Sequence, residues 1–143
     1  MTTSRSDQVL LIVDTEPQGK ARPRFDSRSH RTYTPAQTLR YEWEIRQAWK
    51  ERYTDRAPMV GDLAVEIIAR FRMPVSWSNR KRQRTEGSHC RKKPDADNIA
   101  KAVLDALNEY AYADDAQVVD LKVSKRWASA GSVEIRLSEV RNE

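Results

Sequence analysis

From Leu63 to Arg72 the side chains follow a two-residue period. Leu63, Val65, Ile67, Ala69 and Phe71 share one face, with Glu66, Arg70 and Arg72 on the other. This is the pattern of a half-buried strand, and such a strand is stable only within a sheet. Three partners can be read from the sequence. Val9–Asp14 (VLLIVD) reads as a short buried strand. Val119, Leu121 and Val123 alternate with Asp120, Lys122 and Ser124, and Gly131 turns the chain into a last strand carrying Val133, Ile135 and Leu137. Two segments have helical period instead. Thr34 is placed as an N-cap, with Pro35 at the first helical position and Gln37 at the capping-box position. The predicted helix runs to about Tyr53, with Ala36, Leu39 and Trp43, then Ile45, Ala48 and Trp49, as its inner face. A second helix is predicted from about Asn98 to Tyr110, with Ile99, Val103, Ala106, Leu107 and Tyr110 at helical spacing.

The resulting order is β-α-β-α-β-β. It predicts one α/β domain of the α+β type, a mixed sheet flanked by helices, over residues 9–140 behind a polar tail at 1–8. A length of 143 residues suits one domain and suffices for a core. Cys90 is the single cysteine, which excludes an intramolecular disulfide framework and a four-cysteine zinc site. No apolar run approaches the ~20 residues of a membrane helix, and the polar N-terminus has no signal-like core. The chain reads as a cytoplasmic protein with no membrane partner.

Charge is distributed unevenly. Nine basic residues lie between Arg70 and Lys93 against one acid, Glu86, so this window carries +8 in a chain of +5 and leaves −3 for the rest. Residues 73–94 are predicted as a long basic loop bounded by Pro74 and Pro94, and a loop of that length in a compact domain is usually functional or mobile. A basic segment on a near-neutral body points to a polyanion, nucleic acid first. A solvated surface loop accounts for the charge equally well. Arg80, Lys81, Arg82, Arg84, Arg91, Lys92 and Lys93 are the candidate phosphate contacts. Lys20, Arg22 and Arg24, in the aperiodic stretch 15–33, form a second basic set. Of the four tryptophans, Trp43 and Trp49 are predicted in the core, and Trp77, in the basic loop, is the candidate for stacking on unpaired bases. His89 and Cys90 are read as incidental neighbours, not a metal pair.

The acids gather downstream: Asp95, Asp97, Asp105, Glu109, Asp114, Asp115 and Asp120. Asp95 and Asp97 open the second helix, where carboxylates can cap free N–H groups and favour the helix dipole. Asp114 and Asp115 can equally be turn residues. If the two pairs converge at one edge of the sheet, their mutual repulsion calls for a divalent cation, and hard oxygen ligands suit Mg²⁺. Such an ion beside a phosphate-gripping segment is the arrangement of a metal-dependent phosphodiesterase. Lys101 shares a face with Asp97 and Asp105; it is either an intrahelical ion-pair partner or a group that reaches the scissile phosphate, and spacing does not separate these.

Residues 92–121, KKPDADNIAKAVLDALNEYAYADDAQVVDL, closely resemble the signature of the RusA family of Holliday junction resolvases. GKARPRF (19–25), TYTPAQTLRYEWEI (32–45) and FRMPVSWSNRKR (71–82) resemble further parts of the family, so the likeness spans about 9–138. The combination of Asp-x-Asp-Asn, a helix ending DAL and a downstream Asp-Asp-x-Gln-Val is what makes it specific. The resemblance implies a homodimeric, Mg²⁺-dependent endonuclease (Mn²⁺ as substitute) that nicks opposite strands of a four-way DNA junction in recombination and repair. It places the essential aspartates on Asp95, Asp97 and Asp115 and the functional lysine on Lys101. Asp114, taken as a further metal ligand, and Asp105 match acids that relatives also carry. Many relatives have Gly soon after the DAL helix. Here Asn108, Glu109 and Tyr110 follow, and Asn108 is the expected left-handed cap. Two rival readings share these residues: a non-catalytic module that binds branched DNA, and a metal-dependent nuclease of flaps or forks.

Overall fold

The alternating strand takes a central place in the sheet. The computed structural model describes residues 8–141, so residues 1–7 of the predicted polar tail lie outside it. Its elements are β1 (Gln8–Val13), β2 (Arg24–Asp26), β3 (Arg31–Tyr33), α1 (Ala36–Arg52), β4 (Leu63–Arg72), α2 (Asn79–Thr85), α3 (Ala96–Leu107), β5 (Val118–Ala128) and β6 (Ser132–Glu139). The main sheet has the order β1-β6-β4-β5. β4 pairs with β5 in parallel, whereas β1–β6 and β6–β4 are antiparallel. The sheet is therefore mixed, and with its helices the domain is of the α+β type. β2 and β3 form a separate hairpin.

Register follows from the two-residue period, because a slip of one residue would turn every apolar side chain to water. Leu11 pairs with Ile135, Ile135 with Ile67 and Ile67 with Val123, which makes one apolar row across all four strands. α1 and α3 pack on each other and cover this face, α1 over β1 and α3 over β5. Ile45 and Trp49 of α1 and Ile99, Val103 and Leu107 of α3 are buried against it. Each such aliphatic side chain contributes about 1.5–3 kcal/mol relative to exposure. The other face is polar. Lys122, Glu66, Arg136, Glu134 and Arg70 form a chain of ion pairs at 2.7–3.9 Å.

Several expectations need correction. α1 starts at Ala36 with Pro35 as its cap residue and no side-chain cap; the Pro35 carbonyl accepts from Thr38 and Leu39 N–H instead. Leu39 and Trp43 lie on the exposed face of α1, Trp43 at 57% exposure, while Thr38, Tyr41 and Glu42 turn inward. The helical period holds but its phase differs, because Glu42 finds a cationic partner from far upstream in the chain. Val119 and Leu121 are also exposed, since β5 is an edge strand with an irregular start opposite Leu63 and Ala64. The stretch 15–33 holds the β2–β3 hairpin, closed by Asp26, whose carboxylate accepts from Arg28 N–H and Ser29 Oγ. The basic loop contains α2, capped by Ser78 Oγ, which accepts from Lys81 N–H.

Candidate active site

α3 and its two ends position the predicted acids. Asp95 is the N-cap residue, and its carbonyl accepts from Ile99 N–H, but its side chain makes no capping bond. Capping therefore does not account for this carboxylate. It is exposed, with Lys93 Nζ 4.0 Å away, and Asp97 is exposed in the first turn. Arg91, Lys92 and Lys93 immediately before them are exposed as well. Lys101 is exposed and forms no ion pair within 4 Å among the described residues, so the intrahelical pairing with Asp97 or Asp105 is not formed.

Asp114 and Asp115 stand at the other end of α3. Asp114 caps a single 3-10 turn, Asp115–Gln117: its Oδ1 accepts from Ala116 N–H at 3.0 Å in a capping box with Gln117. The Asp115 carboxylate takes no part in that cap. Its backbone N–H donates to Asn108 Oδ1 at 3.1 Å. Loss of hydration, then the neighbouring Asp114 carboxyl, then the charge of Asp105 hold the Asp115 carboxyl above its ordinary value. Tyr112, fully buried, donates its hydroxyl to the Leu104 carbonyl at 2.6 Å. Burial, with the charges of Asp115 and Asp105, pushes that phenol well above its usual range.

The two acid pairs do not converge. With a rise of about 1.5 Å per residue, the 12 residues of α3 separate its ends by about 18 Å. Asp95 caps one end of α3, while Asp115 is hydrogen-bonded to Asn108 at the other. Among the described residues no three His, Cys, Asp or Glu side chains are close enough to hold one metal ion. Asp95 and Asp97 remain a suitable donor set for Mg²⁺, which usually takes one or two carboxylates and keeps several waters. Asp114 and Asp115 form a second pair of neighbouring carboxylates, while Asp105 is paired with Lys20 Nζ at 3.1 Å.

Residues 14–138 match the family of endodeoxyribonuclease RusA. The chain belongs to the RusA family. It is also similar to a Bacillus subtilis (strain 168) protein, the uncharacterized protein YqaN, with 33% identity over 140 residues, 94% of this chain and 98% of that one. The RusA-type Asp-Asp-x-Gln-Val segment has a clear structural logic here. Gln117 Oε1 accepts from Ala113 and Asp114 N–H, and its Nε2 donates to the Met59 and Gly61 carbonyls, all at 3.0 Å. Gln117 thus fixes the turn that carries Asp115. Asn108 is not the left-handed cap; its φ is −60°, and Glu109 takes the positive φ of 72°. Asn108 instead ties the end of α3 to Asp115. The sequence reading assigns Asn108 a different role, as a cap, and does not single out Gln117 or Tyr112, although the Gln of the motif is a visible signal.

The basic residues fall in three places. Arg22 and Arg24 are exposed beside and on the β2–β3 hairpin. Arg80, Lys81 and Arg84 are exposed on α2, whereas Arg82 is half-buried and donates to the Pro74 carbonyl at 2.9 Å. Trp77 packs on Trp127 with ring centroids 5.1 Å apart, and Lys81 Nζ stands 4.1 Å from its ring centroid. Lys20 is not on the open surface; Glu42 and Asp105 hold its ammonium. His89 is exposed and Cys90 buried, so they do not face one site.

Proposed function

We propose that this RusA-family protein is a Mg²⁺-dependent endonuclease, with Mn²⁺ as a substitute, that resolves four-way DNA junctions by paired nicking. It would act in recombination and repair, in the cytoplasm. The observation that carries this reading is the Asp95 side chain, which opens α3 beside three exposed cations and makes no capping bond. The exposed Arg91, Lys92 and Lys93 would attract a phosphate to that corner, and Asp97 and Lys101 are exposed on the first two turns of α3. Lys101, unpaired by any carboxylate among the described residues, is placed to neutralise charge on a bound phosphate. Asp95 and Asp97 would hold Mg²⁺, which when bound supplies a more acidic water and further neutralisation of the phosphate. Asp115 lies too far along α3 to join them within one chain. A homodimer is the arrangement that would let Asp95 and Asp97 of one chain meet Asp115 of the partner subunit, which supports the dimeric reading.

The test uses a synthetic four-way junction with and without Mg²⁺, beside duplex and flap controls. Expected are metal-dependent nicks in the junction and none in duplex, with cutting reduced to background and binding retained in Asp95→Asn and Asp115→Asn. Wild-type rates in either variant would refute the site. Preferential cutting of flaps would favour the alternative substrate, and binding without cutting the non-catalytic module.

A further inference from the structure

Glu42 is a carboxylate with only 4% exposure in the middle of α1. A buried carboxylate needs partners, and Glu42 has two: Lys20 Nζ at 2.7 Å and Arg46 Nη2 at 3.8 Å. The same Lys20 ammonium lies 3.1 Å from Asp105 Oδ2 on α3. Burial lowers the Lys20 ammonium, but its hydrogen bonds to Glu42 and Asp105 outweigh this and hold it above the ordinary lysine value. The Lys20 side chain is 21% exposed and lies between the two carboxylates.

The backbone around Lys20 is fixed at the other end of α3. Lys20 N–H donates to the Asn98 carbonyl at 3.2 Å. A Cβ at Gly19 would come 2.8 Å from Pro94 Cβ and 3.1 Å from Asn98 Cβ, so only glycine lets the segment approach this closely. The main chain of Gly19 and Lys20 therefore sits on the Pro94–Asn98 turn that carries Asp95 and Asp97. The Lys20 side chain reaches on to Asp105, whose carbonyl accepts from Asn108 N–H at 3.4 Å, and Asn108 Oδ1 in turn accepts from Asp115 N–H at 3.1 Å.

We propose that Lys20, locked by buried Glu42, is a positioning residue that braces the two carboxylate groups of α3 relative to each other, and is not a contact to DNA phosphate. This rests on the nuclease reading above and extends it to two residues outside the acid set. The brace places the acids, so its loss should affect turnover and leave DNA affinity alone.

The experiment compares Lys20→Met, Lys20→Arg and Glu42→Gln with the wild type, measuring junction binding against salt, junction cutting, and the amide resonances of Asn108 and Asp115. A phosphate contact would lower the slope of log affinity against log salt by about 0.9 in Lys20→Met. The brace predicts an unchanged slope and an unchanged KM for the junction. It also predicts at least a tenfold fall in kcat, shared by Glu42→Gln although Glu42 cannot reach DNA, and partial recovery in Lys20→Arg. The Asn108 and Asp115 amides should shift in Lys20→Met although neither residue touches Lys20. A reduced slope in Lys20→Met with wild-type behaviour in Glu42→Gln would make Lys20 a DNA contact and overturn the proposal. Full kcat in folded Lys20→Met would reduce the brace to a fold contact. Unmoved amides would refute the coupling even if the wild type cuts no DNA, an outcome that would itself overturn the nuclease reading.

Discussion

At the scale of single residues, buried charge shows what this fold tolerates. Glu134, 6% exposed, accepts from Arg70 at 3.0 Å and Arg136 at 2.7 Å. Burial raises its carboxyl, but the two guanidinium groups outweigh that and hold it below its ordinary value. A carboxyl depressed in the folded state contributes stability above its unfolded value, about pH 4.3, and loses it as pH falls through the folded value. Because both arginines remain partly exposed, solvent screens the pair. Glu134→Gln should cost about 1–2 kcal/mol at pH 7, and less at pH 3, in urea unfolding at the two pH values. An equal loss at both would mean that shape, not charge, sets the effect. Glu42, buried on the opposite side of the sheet, is paired with Lys20 at 2.7 Å and Arg46 at 3.8 Å. Its partner Lys20 is 22 residues away in sequence, and only the folded chain reveals the pair.

At the scale of elements, strands were legible and helix faces less so. The period of Leu63–Arg72 specified β4 and its buried face, because which side chains pack on a pleated sheet follows from alternation. α1 was legible in extent but not in phase: Leu39 and Trp43 are apolar yet face water. The short elements β2, β3 and α2 lack apolar periodicity and are held by local contacts. α2 buries none of its residues. It is pinned by Trp77 on Trp127, by Arg82 on Pro74, and by residues 87–90 pairing along β5, where Gly87 N–H donates to the Trp127 carbonyl and Trp127 N–H to that of Ser88. Trp77 therefore holds the basic helix in place. Trp77→Ala should change global stability by less than about 1 kcal/mol. It should also speed hydrogen exchange across 79–85 and weaken junction binding several-fold, while Trp77→Phe retains both. Weakened binding with unchanged exchange in 79–85 would show instead that Trp77 stacks on DNA directly.

At the scale of the whole molecule, the acids were legible as a motif but not as a site. Asp95, Asp97 and Asp115 are where the family resemblance places them in sequence, yet α3 holds the first two at one end and the third at the other. Spacing along a chain says nothing about which way a helix crosses a sheet, and here the crossing separates the pairs. One chain offers one Asp95–Asp97 corner and one Asp115 turn, so paired incision of a junction calls for two chains related by a two-fold axis. No helix among the described residues is long and apolar enough to cross a membrane, and the exposed basic surface instead suits a polyanion. The most direct measurement is cleavage of a supercoiled plasmid bearing an extruded cruciform, with the protein's sedimentation followed at the same micromolar concentration. A dimeric resolvase should sediment as a dimer and convert the plasmid to linear product without accumulating nicked circles. Sedimentation as a monomer with nicked circles as the lasting product would contradict paired resolution and leave a nuclease that cuts one strand at a time.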